Sequence, residues 1–166
     1  MLELVIRDLT YAVENLPEVA TAKGRVNAWG AKGMLAKVYL ARSGWKGGTR
    51  DNADLEKAKE LAADVINNSG ISLYENYEDL FKYKHNNNPE SLMAMQWVPL
   101  GDWGVCNTLL ADLAGNSKMT GGVNVWSSYQ ASIDMLQQYE LGDTIRRNAT
   151  FCAPGTYYSY ICIADG

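Results

Sequence analysis

RVNAWGAKGMLAKVYLARSG (residues 25–44) and DNADLEKAKELAADVINNSG (residues 51–70) are separated only by the glycine-rich turn WKGGTR, and this pair decides the fold. In the second stretch Leu55, Ala58, Leu61, Ala62, Val65 and Ile66 recur at helical spacing, with Glu56, Lys57, Glu60 and Asp64 off the stripe. Asp51 followed by Asp54 reads as a capping pair at the positive end of the helix dipole, and Asn67, Asn68 and Gly70 as its stop. In the first stretch Val26, Trp29, Ala31, Met34, Leu35, Val38, Tyr39 and Leu40 wrap most of the circumference, so this helix is expected to pack on two sides. Gly30 and Gly33 each cost about 1 kcal/mol against alanine inside a helix, which predicts close approach of a neighbouring backbone. Gly44 suits the position just past the helix end. Two helices of this length on a short loop form a hairpin, and the small residues at the crossing fit a tetratricopeptide-like repeat.

Working outward, MLELVIRDLTYAVENLP (residues 1–17) places Leu2, Val5, Ile6, Leu9, Val13 and Leu16 on one face and stops before Pro17. Beyond residue 70 the pattern changes. ISLYENYEDLFKY is compact and aromatic, and Leu92 to Val98 reads as a short β-like or buried run that includes Trp97. Residues 99–129 carry no periodicity, and irregular stretches of that length are usually functional. ASIDMLQQYELGD is a short helix with Ile133, Leu136 and Tyr139 on one side, and residues 150–166 alternate enough for a strand or an extended loop. The expected fold class is mainly α: a tetratricopeptide-like α-α superhelix of helix hairpins, with long aromatic-rich loops and little β. Residues 1–166 are read as one domain, with the helices in 1–70 and a loop-rich portion in 71–166.

The 166 residues are 47% hydrophobic and 20% charged, with a net charge of −4. That is a globular composition without the basic footprint of a nucleic-acid binder, and no apolar run approaches the ~20 residues of a membrane-spanning helix. The single histidine, His85, leaves little room for multi-histidine zinc sites or catalytic triads, and a solvated loop histidine is the simpler reading. Cys106, Cys152 and Cys162 have no C-x-x-C spacing; a Cys152–Cys162 bridge and three free thiols both remain open. No cofactor is indicated. Asn148-Ala149-Thr150 matches a glycosylation acceptor only formally, and Asp143 with Arg146 and Arg147 reads as a salt bridge across one helical turn.

Five tryptophans and ten tyrosines against two phenylalanines give the clearest functional signal. Flat rings with a polar handle suit stacking on the apolar face of a sugar, while amide side chains bind its hydroxyls. Trp103 in GDWG and Trp126 in GGVNVWSS have glycine neighbours that would leave a ring exposed; Tyr129 and Tyr157 join them, with Asn107 and Asn124 as hydroxyl ligands. The competing assignment is that these aromatics pin loops to the core, and Trp97, inside an apolar run, is assigned there. A carboxylate pair from Asp102, Asp112 and Asp143 would be needed for glycoside hydrolysis, and none sits in an apolar setting that advertises a raised pKa.

GRVNAWGAKGMLAKVYLARSGW, DLEKAKELAADVINNSGISLYENYEDLF, NNNPESLMAMQW and SYQASIDMLQQYELGDTIRRNATF, taken in this order, resemble the SusD/RagB family of surface glycan-binding lipoproteins of Bacteroidetes. The resemblance covers nearly the whole chain and looks like an internal to C-terminal portion of a longer family member. It implies tetratricopeptide-like helix pairs, a glycan site on loops, and no catalysis. It also implies capture of an oligo- or polysaccharide for a TonB-dependent transporter at the outer membrane, with a lipid anchor in the full-length protein. A protein-interaction scaffold is the alternative function, and exposed apolar repeat faces would lead the chain to self-associate.

Overall fold

The computed structural model describes residues 1–45, 47–97, 109–115, 117, 125–152, 155 and 157. They form six α-helices and two short 3-10 helices, and no strand occurs among the described residues. The chain divides into two compact units, residues 1–75 with 85–96, and residues 76–84 with 97–166.

The first unit is built on α1 (Leu2–Asn15), α2 (Ala28–Ser43) and α3 (Asn52–Asn68). Its cross-links run in reverse order, Arg42 to Asp54 and Lys32 to Asp64, so α2 and α3 are antiparallel. Arg42 also reaches Glu3 at 2.7 Å, while Ala28 N donates to Pro17 O at 3.0 Å, which sets α1 antiparallel to α2 by the same reasoning. α2 is therefore the central helix, as its encircling apolar pattern requires. Ile6, Leu35, Ala36 and Leu61 make the core, with Leu9, Val13, Val38, Tyr39 and Ala62 packed on it.

The ends follow local chemistry. α1 passes into extended backbone at Leu16, the conformation that Pro17 imposes on the residue before it. Asn27 caps α2 by accepting from Gly30 N at 2.8 Å, and Asp51 caps α3 by accepting from Ala53 N and Asp54 N. α3 stops at Ser69, followed by Gly70 at φ +71°. Gly44 differs from expectation. Its φ is −101°, an ordinary right-handed value, and the left-handed glycines of this turn are Gly47 and Gly48.

Gly30 earns its place by close approach, as its cost in a helix predicts. A Cβ there would lie 2.5 Å from the carbonyl oxygen of Leu92, and one at Gly33 would lie 3.1 Å from Leu92 Cδ1. The segment 85–96 thus folds back onto α2. It is tied down by a reciprocal amide pair between Asn87 and Gln96, 2.9 Å in each direction, and by Tyr74 N donating to Glu90 at 2.6 Å. His85 belongs to this tie and is not a solvated loop residue: it is half-buried, with Nδ1 3.0 Å from the Tyr74 hydroxyl.

The run Leu92–Val98 is neither strand nor core over its described part, residues 92–97. Leu92 is half-buried, residues 93–97 are exposed, and Trp97 is 44% exposed. Backbone packing at Leu92, rather than the apolar side chains after it, is what anchors this segment. The second unit contains the 3-10 helix Tyr77–Phe81, α4 (Leu109–Leu113), α5 (Ile133–Gln137) and α6 (Thr144–Thr150). Leu136 and Tyr139 are half-buried near α5, whereas Ile133 is exposed. α4 interrupts the stretch 99–129 that sequence pattern leaves irregular. The strand-or-loop reading of residues 150–166 falls mostly outside the described residues.

Candidate functional site

α4 has five residues, too few to close its own hydrogen bonds, so its last carbonyls need outside donors. The segment after residue 125 supplies them. Trp126 N and Ser127 N donate to Ala111 O at 2.8 and 3.2 Å, and Tyr129 N donates to Asp112 O at 3.1 Å. Ser127 takes φ +51°, a left-handed conformation uncommon for a residue with a side chain, and its hydroxyl accepts from Gln130 Nε2 at 3.0 Å. This backbone arrangement leaves Trp126 49% and Tyr129 64% exposed, held by the same helix end. An exposed indole and an exposed phenol carried on one braced segment are suited to stacking on a flat apolar face.

Of the other residues singled out from sequence, Tyr157 is 80% exposed, and no described contact links it to the Trp126–Tyr129 pair. Trp103, Asn107 and Asn124 lie outside the described residues. Asp143 is not placed as a general acid. Its carboxylate caps α6 by accepting from Arg146 N and forms an ion pair with the Arg146 side chain, which holds it below the usual carboxylate range. Cys152 is a free, exposed thiol whose pKa is raised by desolvation. Among the described residues no group of His, Cys, Asp and Glu could hold a metal ion, and no helix is long and apolar enough to cross a membrane.

Two features escaped sequence reading. Phe81 is 63% exposed and borders a small cavity against α6, although its i, i+4 spacing from Tyr77 was visible. A larger, almost wholly apolar groove of about 500 Å³ runs between α2 and α3, lined by Ala36, Leu40, Ala58, Ala62 and Ile66 with Lys37 and Lys59 beside them.

No family-wide sequence profile matches the chain. It is 68% identical over 165 residues to a SusD-like protein of Bacteroides ovatus, a match that covers 99% of this chain and 30% of that protein. The chain is SusD-like. Its fold superposes with a TM-score of 0.87 on a crystal structure with xylogluco-oligosaccharide, at 67% identity, over 97% of this chain and 33% of the other. A second crystal structure matches with a TM-score of 0.86, also at 67% identity, over 97% of this chain and 32% of the other. The SusD-like chain thus spans about a third of the length of the relatives it matches. The mainly helical fold expected from the hairpin at residues 25–70 is the one observed.

Proposed function

We propose that this SusD-like chain forms part of a non-catalytic glycan-binding surface, and that its ligand is a xyloglucan-type oligosaccharide. The observation that carries this reading is the 67% identity, at a TM-score of 0.87, to a structure with xylogluco-oligosaccharide. Trp126 and Tyr129 support it, since both are exposed on a segment whose backbone is braced by α4. Trp103, Asn107, Asn124 and Tyr157 complete the proposed contact set. In this account the sugar's C–H face stacks on the rings and its hydroxyls meet amide groups. Such contacts give modest affinity per ring and permit release, while several sites along one polysaccharide raise retention by avidity. The release step suits the family's role, delivery to a TonB-dependent transporter at the outer-membrane surface.

The test is affinity electrophoresis of this chain through gels containing xyloglucan, unbranched β-glucan or no polysaccharide. Xyloglucan should retard it, and Trp126→Ala should remove most of the retardation with helical circular dichroism unchanged. Equal mobility in all gels would refute binding by this chain.

The α2–α3 groove favours a second reading, a protein-interaction scaffold or self-association through the same face. That reading predicts that Leu40→Lys abolishes any dimer seen by sedimentation at high concentration. A monomer at every concentration would count against self-association.

A further inference from the structure

A sugar whose C–H face covers an aromatic ring has only its edge hydroxyls left for hydrogen bonds, so its polar partners must stand beside the rings on which it stacks. On the segment braced by α4, two side chains meet that requirement. Ser127 directly follows Trp126, and Gln130 directly follows Tyr129. Each polar side chain therefore leaves the backbone about 3.8 Å from a Cα that carries a ring. The sequence pattern points to Asn107 and Asn124 as hydroxyl ligands and passes over Gln130, whose placement depends on α4.

The two side chains are joined. Gln130 Nε2 donates to Ser127 Oγ at 3.0 Å, and Gln130 is exposed while Ser127 is half-buried. That bond uses one amide hydrogen and one hydroxyl lone pair. Left over are the second amide hydrogen, the Oε1 acceptor and the Ser127 hydroxyl hydrogen, none of which has a bond among the described residues. Other amides are committed elsewhere: Asn27 and Asn76 cap helices, and Asn87 and Gln96 bind each other. Neither Ser127 nor Gln130 carries a charge, so the pair suits a neutral hydroxylated ring and offers no ion-pair partner to a uronate or an amino sugar.

We infer that Gln130 is a hydroxyl-binding residue of the glycan surface and that Ser127 is its positioning residue. An amide carries its donor and acceptor side by side, as neighbouring ring hydroxyls do. One hydroxyl at the edge of a pyranose stacked on Trp126 or Tyr129 donates to Oε1, and the next accepts from Nε2. This inference rests on the glycan reading above and adds to it the group that recognises hydroxyls.

The experiment is isothermal titration of xylogluco-oligosaccharide into this chain and into Gln130→Ala, Ser127→Ala, the double variant and Trp126→Ala, with a urea midpoint for each. Gln130→Ala should weaken binding roughly three- to tenfold, the worth of one neutral hydrogen bond, at an unchanged midpoint. Ser127→Ala keeps the amide but frees it, so it should weaken binding by less. In the Gln130→Ala background the same change should have no further effect, since the tether then holds nothing. An added loss there, or unchanged affinity in Ser127→Ala alone, would overturn the positioning role. Equal affinity in Gln130→Ala and the unaltered chain would overturn the assignment of Gln130. If Trp126→Ala still weakens binding in that case, the aromatic surface stands without Gln130. No binding by the unaltered chain would remove both.

Discussion

Arg42 shows how one side chain can join three helices. Its Nε and Nη2 donate to the two carboxylate oxygens of Asp54 at 2.8 and 2.5 Å, its Nη1 donates to Glu3 at 2.7 Å, and its guanidinium lies 5.0 Å from the Tyr39 ring centre. Asp54 is only 6% exposed, so its charge depends on this forked partner. Asp54→Ala should therefore lower stability by about 2–3 kcal/mol in urea unfolding, and Glu3→Ala, whose carboxylate is in water, by well under 1 kcal/mol. The sequence displays Asp54 as a helix-start acid; its role as a tertiary partner of Arg42 depends on the hairpin and is not local. Lys32 and Asn68 hold the Asp64 carboxyl below its ordinary 3.8, and Arg146 does the same for Asp143. Depressed carboxyls give stability that is complete above the unfolded value and lost as pH falls through the folded one. Stability should thus fall as pH drops from about 5 toward 2, and Asp64→Asn should flatten that slope in pH-dependent denaturation.

At the scale of elements, the two glycines of α2 part company. Alanine at either position gains helix propensity of about 1 kcal/mol. At Gly30 the new Cβ would meet the Leu92 carbonyl oxygen at 2.5 Å, a backbone atom that can yield only by moving the 85–96 segment. At Gly33 the neighbour is the end of the Leu92 side chain at 3.1 Å, which can turn aside. Gly30→Ala should destabilise by 1 kcal/mol or more, while Gly33→Ala should be neutral or slightly stabilising, as read from denaturation midpoints. The sequence showed that something approaches these glycines. It did not show what, because Leu92 lies some sixty positions along the chain. α4 was illegible for a related reason: LLADL is too short to display a period, and its end is satisfied by amides of Trp126, Ser127 and Tyr129. Trp97 misled because an apolar run fixes neither strand nor burial without knowledge of what packs against it.

At the scale of the whole molecule, the hairpin at residues 25–70 was readable because caps, stops and stripe are all local. Its agreement with the observed α2 and α3 is close. The candidate site was readable only as a composition, an excess of Trp and Tyr on glycine-flanked segments. That Trp126 and Tyr129 share a support became visible only once α4 was in place. Under the proposed function, this SusD-like chain binds a xyloglucan-type glycan through an aromatic surface that includes Trp126. The most direct measurement is isothermal titration of xylogluco-oligosaccharide into the chain and into Trp126→Ala. Binding should be saturable and should weaken at least tenfold in the variant while circular dichroism stays the same. Equal binding by the two proteins, or no heat with either, would contradict it.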